Sequence, residues 1–267
     1  LSSTSDPKNT DIRRALIVAA AVFVLLLAAI VPVSIHNPLL FSAINGLHSP
    51  YSDPVWLGLT TLGDGYLLMV VLAACGLINP RVTLLGVTLM LLASIFVHAI
   101  KWAVPVPRPL EALGIVHVIG PTLRHASFPS GHSAAVFAAA LGVIHYSRSL
   151  PCMIGVVALA LLVGLSRIFV GAHFPLDVVG GALCALAAFL LVRATFWSTI
   201  ESRIPASPAV GSPRYRWFVG LLIAGSLFGL FVYAPFAAES PLVAGAVFIA
   251  VLVFVVFRIR TRNKPAR

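Results

Sequence analysis

Three short polar blocks interrupt an otherwise apolar chain between residues 101 and 177. The first, 101–109, opens on Lys101 and closes on Arg108 and Pro109. The second is Pro129, Ser130, Gly131, His132. The third, 166–177, holds Ser166, Arg167, His173 and Asp177. Together they supply three fixed cations, two imidazoles, a carboxylate and two hydroxyls. That inventory suits a dianionic phosphate and the histidine chemistry that can move it. His173 and Asp177 are four residues apart, with Pro175 suited to the first turn of a helix. From there Asp177 could reach back to the imidazole, fix its tautomer and stabilise the imidazolium. Ser130 can cap a helix starting at Gly131, aiming the amides of Gly131 and His132 at an anion, with no side chain on Gly131 in the way. His132 is then placed to protonate a departing oxygen. Each block also has a plain structural reading: an interfacial Arg167–Asp177 pair, a turn before a helix, a snorkelling lysine. Their occurrence in this order, on one side of a membrane, favours chemistry.

The elements that must position these blocks are membrane spans. Sixty per cent of the 267 residues are hydrophobic and ten per cent charged, against about a quarter charged in a soluble domain. The chain cannot cover a water-exposed surface, and its mean hydropathy is +1.03. Eight apolar runs read as spans of a ~30 Å hydrocarbon core, the second being short and extended by tilt or by Leu57–Leu62. They fall at residues 14–34, 65–79, 82–101, 132–147, 151–169, 177–197, 217–235 and 241–258. Arg13 and Arg14 before the first run resemble a signal peptide, but the run is long and no small-residue cleavage site closes it, so a retained span is expected. The fold class expected is an all-α polytopic membrane protein. A six-span unit (1–200) is followed by a linker rich in proline (201–216) and a two-span hairpin with a basic tail (217–267). Residues 37–64, with Tyr51 and Trp56, read as an amphipathic segment on the membrane surface.

Charge sets the orientation. With both termini inside, 14 of the 18 Lys and Arg residues fall on the cytoplasmic side. Lys101, Arg108, Arg124 and Arg167 remain outside, and three of them belong to the polar blocks. The net charge of +10 therefore reflects topology, and no basic stretch interleaved with stacking aromatics points to nucleic acid. Cys75, Cys152 and Cys184 show no paired spacing and read as free thiols. Magnesium sites favour carboxylates, which are scattered outside the third block, so neither a metal nor another cofactor is expected. Asp64 and Arg124 are candidates for a substrate rim. His98, one turn before Lys101, could face the cleft but reads better as an interhelical hydrogen-bond donor. His117 and His125 sit with Arg124 in a long outer loop that could act as a lid.

Lys-x6-Arg-Pro, Pro-Ser-Gly-His and Ser-Arg-x5-His-x3-Asp, in that order, resemble the type-2 phosphatidic acid phosphatase superfamily over residues 15–197. The resemblance implies a six-helix core with His173 as nucleophile, forming a phosphohistidine. Asp177 would orient it and His132 would be the general acid. Lys101, Arg108, Ser130, Gly131 and Arg167 would bind the phosphate. It further implies a lipid phosphate or diphosphate substrate, such as undecaprenyl diphosphate, phosphatidylglycerophosphate or phosphatidate. Hydrolysis would occur at the extracytoplasmic face of a bacterial inner membrane. The form His173-Phe-Pro-Leu-Asp177-Val looks slightly more like the undecaprenyl diphosphate branch. A phosphotransferase passing the group to another lipid, such as lipid A, would use the same site. A transporter with a cationic selectivity ring is the reading from another class, disfavoured because no charge lies mid-span.

Overall fold

The computed structural model describes residues 7–124, 126–204, 217, 219–226, 228 and 249. Among them are helices α1 (Pro7–Ile35), α2 (Asn37–Asn45), α3 (Asp53–Thr61), α4 (Gly65–Gly76), α5 (Pro80–Ala103), α6 (Pro109–Leu113), α7 (Gly131–Tyr146), α8 (Leu150–Phe169), α9 (Pro175–Thr195) and α10 (Trp197–Arg203). The protein is an all-α membrane protein. Local chemistry explains most helix starts. Proline occupies the first turn of α2, α3, α5, α6, α8 and α9, where its missing N–H costs nothing. Asp64, Asn79, Ser130 and Ser149 cap α4, α5, α7 and α8 through their side-chain oxygens.

Among the described residues, four helices are long and apolar enough to span a membrane by themselves: α1, α5, α8 and α9. The expected second span differs from a straight helix. α4 has 12 residues, and α3 extends it across a break with a 59° bend. The bend falls at residues 62–64, where Asp64 takes the amides of Tyr66 and Leu67 and restarts the helix. Part of the segment read as lying on the membrane surface therefore joins the bundle instead. α7 has only 16 residues, about 24 Å at 1.5 Å per residue. Residues 219–226 are helical, where the seventh run begins. The eighth run lies outside the described residues except for Ile249, and most of the expected linker lies outside them too.

The core is built on α5, α7 and α9, with α8 and α4 against it. Lipid tails give helices no hydrophobic reason to associate, so close approach through small residues must do the work. Ala93, Ala134, Ala138, Ala185 and Ala188 line the packed faces. Where α5 meets α7, a Cβ on Gly142 would lie 2.7 Å from the Cα of Gly86. Where α9 meets the start of α7, a Cβ on Gly181 would lie 2.5 Å from the Ser130 carbonyl oxygen. At the end of the bundle away from the polar blocks, α10 lies across α5 and α9. Glu201 pairs with Arg193 at 3.3 Å and Arg81 at 3.7 Å, and Trp197 donates to the Tyr146 hydroxyl at 2.8 Å. α10 thus occupies the beginning of the stretch read as linker.

Gly181→Ala should push α9 off the capped start of α7. Overpacking of this kind costs about 1–3 kcal/mol, and a lower midpoint for thermal unfolding in detergent would register it, whereas Gly155→Ala, in open space, should leave the midpoint unchanged.

Candidate active site

The three polar blocks meet at one end of the bundle, and each pair of blocks is joined directly. The backbone N–H of Ser127, just before the second block, donates to the Val106 carbonyl in the first at 2.8 Å. The N–H of Ser130 donates to the Asp177 carbonyl at 2.8 Å. Arg108 Nη1 donates to the Ala172 carbonyl at 2.8 Å. Sequence separations of 21, 47 and 64 residues are thereby closed within one polar cluster.

Its centre is the Asp177 carboxylate, buried at the first turn of α9. Oδ2 accepts from Ser127 Oγ at 2.5 Å and from the Phe174 amide at 2.8 Å, and lies 3.3 Å from His173 Nδ1. A carboxylate at this position favours the proton on Nδ1, leaving the lone pair on Nε2. Nε2 is 3.4 Å from Arg108 Nη1. Burial pushes the His173 pKa down to about 3, against the opposing pull of Asp177 and with help from Arg167 and Arg108. The ring is thus a neutral base at neutral pH.

The remaining expected residues fall around this pair. Arg167, fully buried at the end of α8, donates through Nη1 to Thr60 Oγ1. Lys101 donates to the carbonyls of Ala126 and Ser127, the latter at 3.1 Å. Ser130 Oγ accepts from the Ser133 hydroxyl at 3.0 Å and caps α7, so its side chain serves the helix start. Gly131 has nothing within 4 Å of its Cβ direction, which leaves room beside its amide. His132 is the second residue of α7 and feels the charges of Arg167 and Arg108 and the ring of His173. A cavity of about 1200 Å³ lies instead at the far end, beside Arg81, His145, Tyr146, Arg193 and Glu201, away from these residues.

Several expectations need adjusting. His98 is exposed and bonds the Ser94 carbonyl of its own helix at 2.7 Å, so it makes neither the cleft contact nor the interhelical bond expected. The Asp64 carboxylate is occupied by the α4 cap, and Arg124 is exposed in the outer loop. His125 lies outside the described residues. His117 is fastened down: Nε2 lies 2.9 Å from Asp53 Oδ2, and its ring stacks on His48 at 3.9 Å. Four site residues escaped the sequence reading: Ser127, Thr60, Asn37 and Asn45. None belongs to a spaced motif; only Ser127, two residues before Pro129, sat close enough to a block to invite attention.

The sequence profile of the PAP2 superfamily matches residues 82–201. Phosphatidylglycerophosphatase B of Bacillus subtilis is 31% identical over 162 residues, covering 55% of this chain and 76% of that protein. The chain belongs to the PAP2 superfamily. An undecaprenyl-diphosphatase of Sulfolobus acidocaldarius is 29% identical over 150 residues, 55% of this chain and 72% of the relative. Among solved structures, Aquifex aeolicus LpxE aligns with a TM-score of 0.55 at 30% identity, covering 59% of this chain and 94% of that one. As a PAP2 protein the chain is a multi-span membrane protein of a lipid phosphatase family.

Two outcomes follow from the Asp177 cluster. Ser127→Ala removes a donor to a buried carboxylate, an interaction worth about 1.5–3 kcal/mol; kcat should fall about tenfold or more with the fold retained, read by steady-state kinetics beside a melting curve. The second concerns pH. The folded-state pKa of His173 lies below its unfolded value near 6.5, so unfolding takes up a proton as pH falls through that window. The burial-dependent stability is complete above about pH 6.5 and is lost toward pH 3. Wild type should therefore lose about 2 kcal/mol more than His173→Gln between pH 7 and 5, measurable as converging melting midpoints.

Proposed function

We propose that this PAP2 protein hydrolyses a lipid phosphate or diphosphate through a phosphohistidine, at the extracytoplasmic face of a bacterial inner membrane. The observation that carries the reading is the neutral, Asp177-held His173 with Nε2 beside Arg108. In the first half-reaction the Nε2 lone pair attacks phosphorus, and the bond from phosphorus to the leaving oxygen breaks. His132 gives its proton to that oxygen. In the second, His132 takes a proton from water, the hydroxide attacks the phosphohistidine, and inorganic phosphate departs with His173 restored. Asp177 keeps Nδ1–H in place and balances the cation formed on the ring. Arg108, Arg167, Lys101 and the amides at the start of α7 would hold the phosphoryl oxygens as charge builds on them. The scheme assigns no step to a metal ion.

The names of the similar proteins narrow the substrate to phosphate esters of membrane lipids. Undecaprenyl diphosphate stands first, because the residues from His173 to Val178 and the undecaprenyl-diphosphatase relative both favour it. The excess of Lys and Arg in the segments assigned to the cytoplasmic side supports a site on the opposite, outer surface.

Purified protein in detergent should release inorganic phosphate from at least one of undecaprenyl diphosphate, phosphatidylglycerophosphate and phosphatidate with chelator present. His173→Ala should abolish release, and Arg108→Ala should lower it about 10²–10³-fold, as for loss of one preorganised donor. Vanadate, a mimic of five-coordinate phosphorus, should inhibit. Chelator-sensitive release, or release surviving His173→Ala, would overturn the mechanism.

A further inference from the structure

Helix α2 has its polarity reversed. Asn37, Phe41 and Asn45 recur every four residues and share one face, drifting about 80° in all. That face turns inward: Phe41 is 1% exposed and Asn45 is 5% exposed. The opposite face carries Leu39, Ser42 and Ala43 with Leu40 beside them; Leu39 is 69% exposed, as is Leu47 just beyond the helix. A helix on a water-exposed surface has the reverse arrangement. Apolar outward and polar inward is what a helix needs when its outer face meets lipid.

The inward face grips the two ends of the loop that carries His173. That loop is residues 170–174, between the end of α8 and the start of α9. Every helix leaves carbonyls unsatisfied at its C-terminus and amides unsatisfied at its N-terminus. Asn45 Nδ2 donates to the Phe169 carbonyl, in the last turn of α8, at 2.9 Å. Asn37 Oδ1 accepts from the Leu176 amide, in the first turn of α9, at 3.0 Å. Between them Phe41 packs edge-on against Phe174, with ring centroids 5.2 Å apart. Asn45 also exchanges two bonds with the backbone of His117, at 2.8 and 3.1 Å, tying in the outer loop. That loop crosses the nucleophile loop at Gly171, where φ is +76° and a Cβ would lie 2.5 Å from the His117 oxygen.

We propose that α2 is an interfacial splint. Its leucine face is seated in the lipid leaflet on the catalytic side, and Asn37, Phe41 and Asn45 act as positioning residues for the loop bearing His173. The inference rests on His173 being the nucleophile, and it makes the membrane surface part of what holds that residue in line. Misplacement of a reacting group by about 1 Å costs on the order of 10²-fold in rate, so a splint of this kind acts on kcat and leaves KM nearly alone.

The full chain, in nanodiscs of phosphatidylethanolamine and phosphatidylglycerol and separately in detergent, provides the test. Amide exchange of residues 168–178 is read by mass spectrometry, and turnover is followed on a lipid phosphate from the panel above. Asn45→Ala and Asn37→Ala should each raise exchange in this segment about tenfold and lower kcat about 10–100-fold, with KM within about twofold. Asn45→Ser serves if the alanine variant fails to fold. Wild type should exchange more slowly in nanodiscs than in detergent, and Leu39→Ser combined with Leu47→Ser should erase that difference. Unchanged exchange and kcat in the asparagine variants would overturn the splint. A bilayer–detergent difference that survives the serine pair would overturn the role of lipid. Should His173→Ala stay active, the phosphohistidine reading falls, while the exchange data still decide whether α2 holds the loop.

Discussion

A single buried carboxylate organises the end of the bundle where the three polar blocks meet. Asp177 is 2% exposed, and an ionised carboxylate in such a place is tolerable only when its oxygens are satisfied. Ser127, the Phe174 amide and His173 share that task through one oxygen. The same residue's backbone carbonyl takes the Ser130 amide and so fixes where α7 begins. Satisfying the carboxylate thus holds Ser127 in place and selects the tautomer of the histidine, while the backbone carbonyl of the same residue sets the register of α7 against α9. Lys101, bonded to the carbonyls of Ala126 and Ser127, closes the ring from the third side. Chemistry and packing are the same set of bonds here.

This also explains why small residues gather where they do. α7 and α9 must approach closely for the Ser130–Asp177 backbone bond to form, and Gly181 sits opposite the Ser130 carbonyl with no space for a side chain. In lipid such proximity cannot come from hydrophobic collapse. It comes from shape, and from polar groups that have no water to turn to. The far end of the bundle follows the same rule with different residues, Glu201 serving both Arg81 and Arg193.

The legible part of the sequence was the part that obeys spacing. His173 and Asp177 had to be four apart to share a helix start, and Ser130 had to precede Gly131 and His132 to cap α7; both patterns are local and are kept in the fold. Long apolar runs predicted α1, α5, α8 and α9 because bilayer thickness dictates their length. The bend between α3 and α4 was less legible, since it depends on Asp64 restarting a helix that composition alone would continue. Ser127, Thr60, Asn37 and Asn45 were hidden for a different reason. Each is a common small polar residue whose partner lies far away in the chain, and only the folded topology gives it a role. Arg167 reads as a phosphate ligand from its motif, yet its bond to Thr60, 107 residues earlier, could not be inferred from any local pattern.

The distribution of polar residues in the first 60 positions carries the remaining step. A segment evolved only to lie on the membrane would keep its asparagines toward water. In α2 they face the protein, and they meet the two helix ends that the nucleophile loop interrupts. The five-residue loop turns at Gly171, in the left-handed region. On the proposed mechanism, attack on phosphorus requires Nε2 of His173 to arrive in line with the leaving oxygen. Asp177 fixes the rotation of the ring, and the amides of Ala172 and His173, each donating to the Arg167 carbonyl at 3.1 Å, tie the loop to α8. α2 adds bonds from outside the loop, to both of its flanking helix ends at once. In the proposed scheme its outward leucines extend the reference frame for His173 to the bilayer itself.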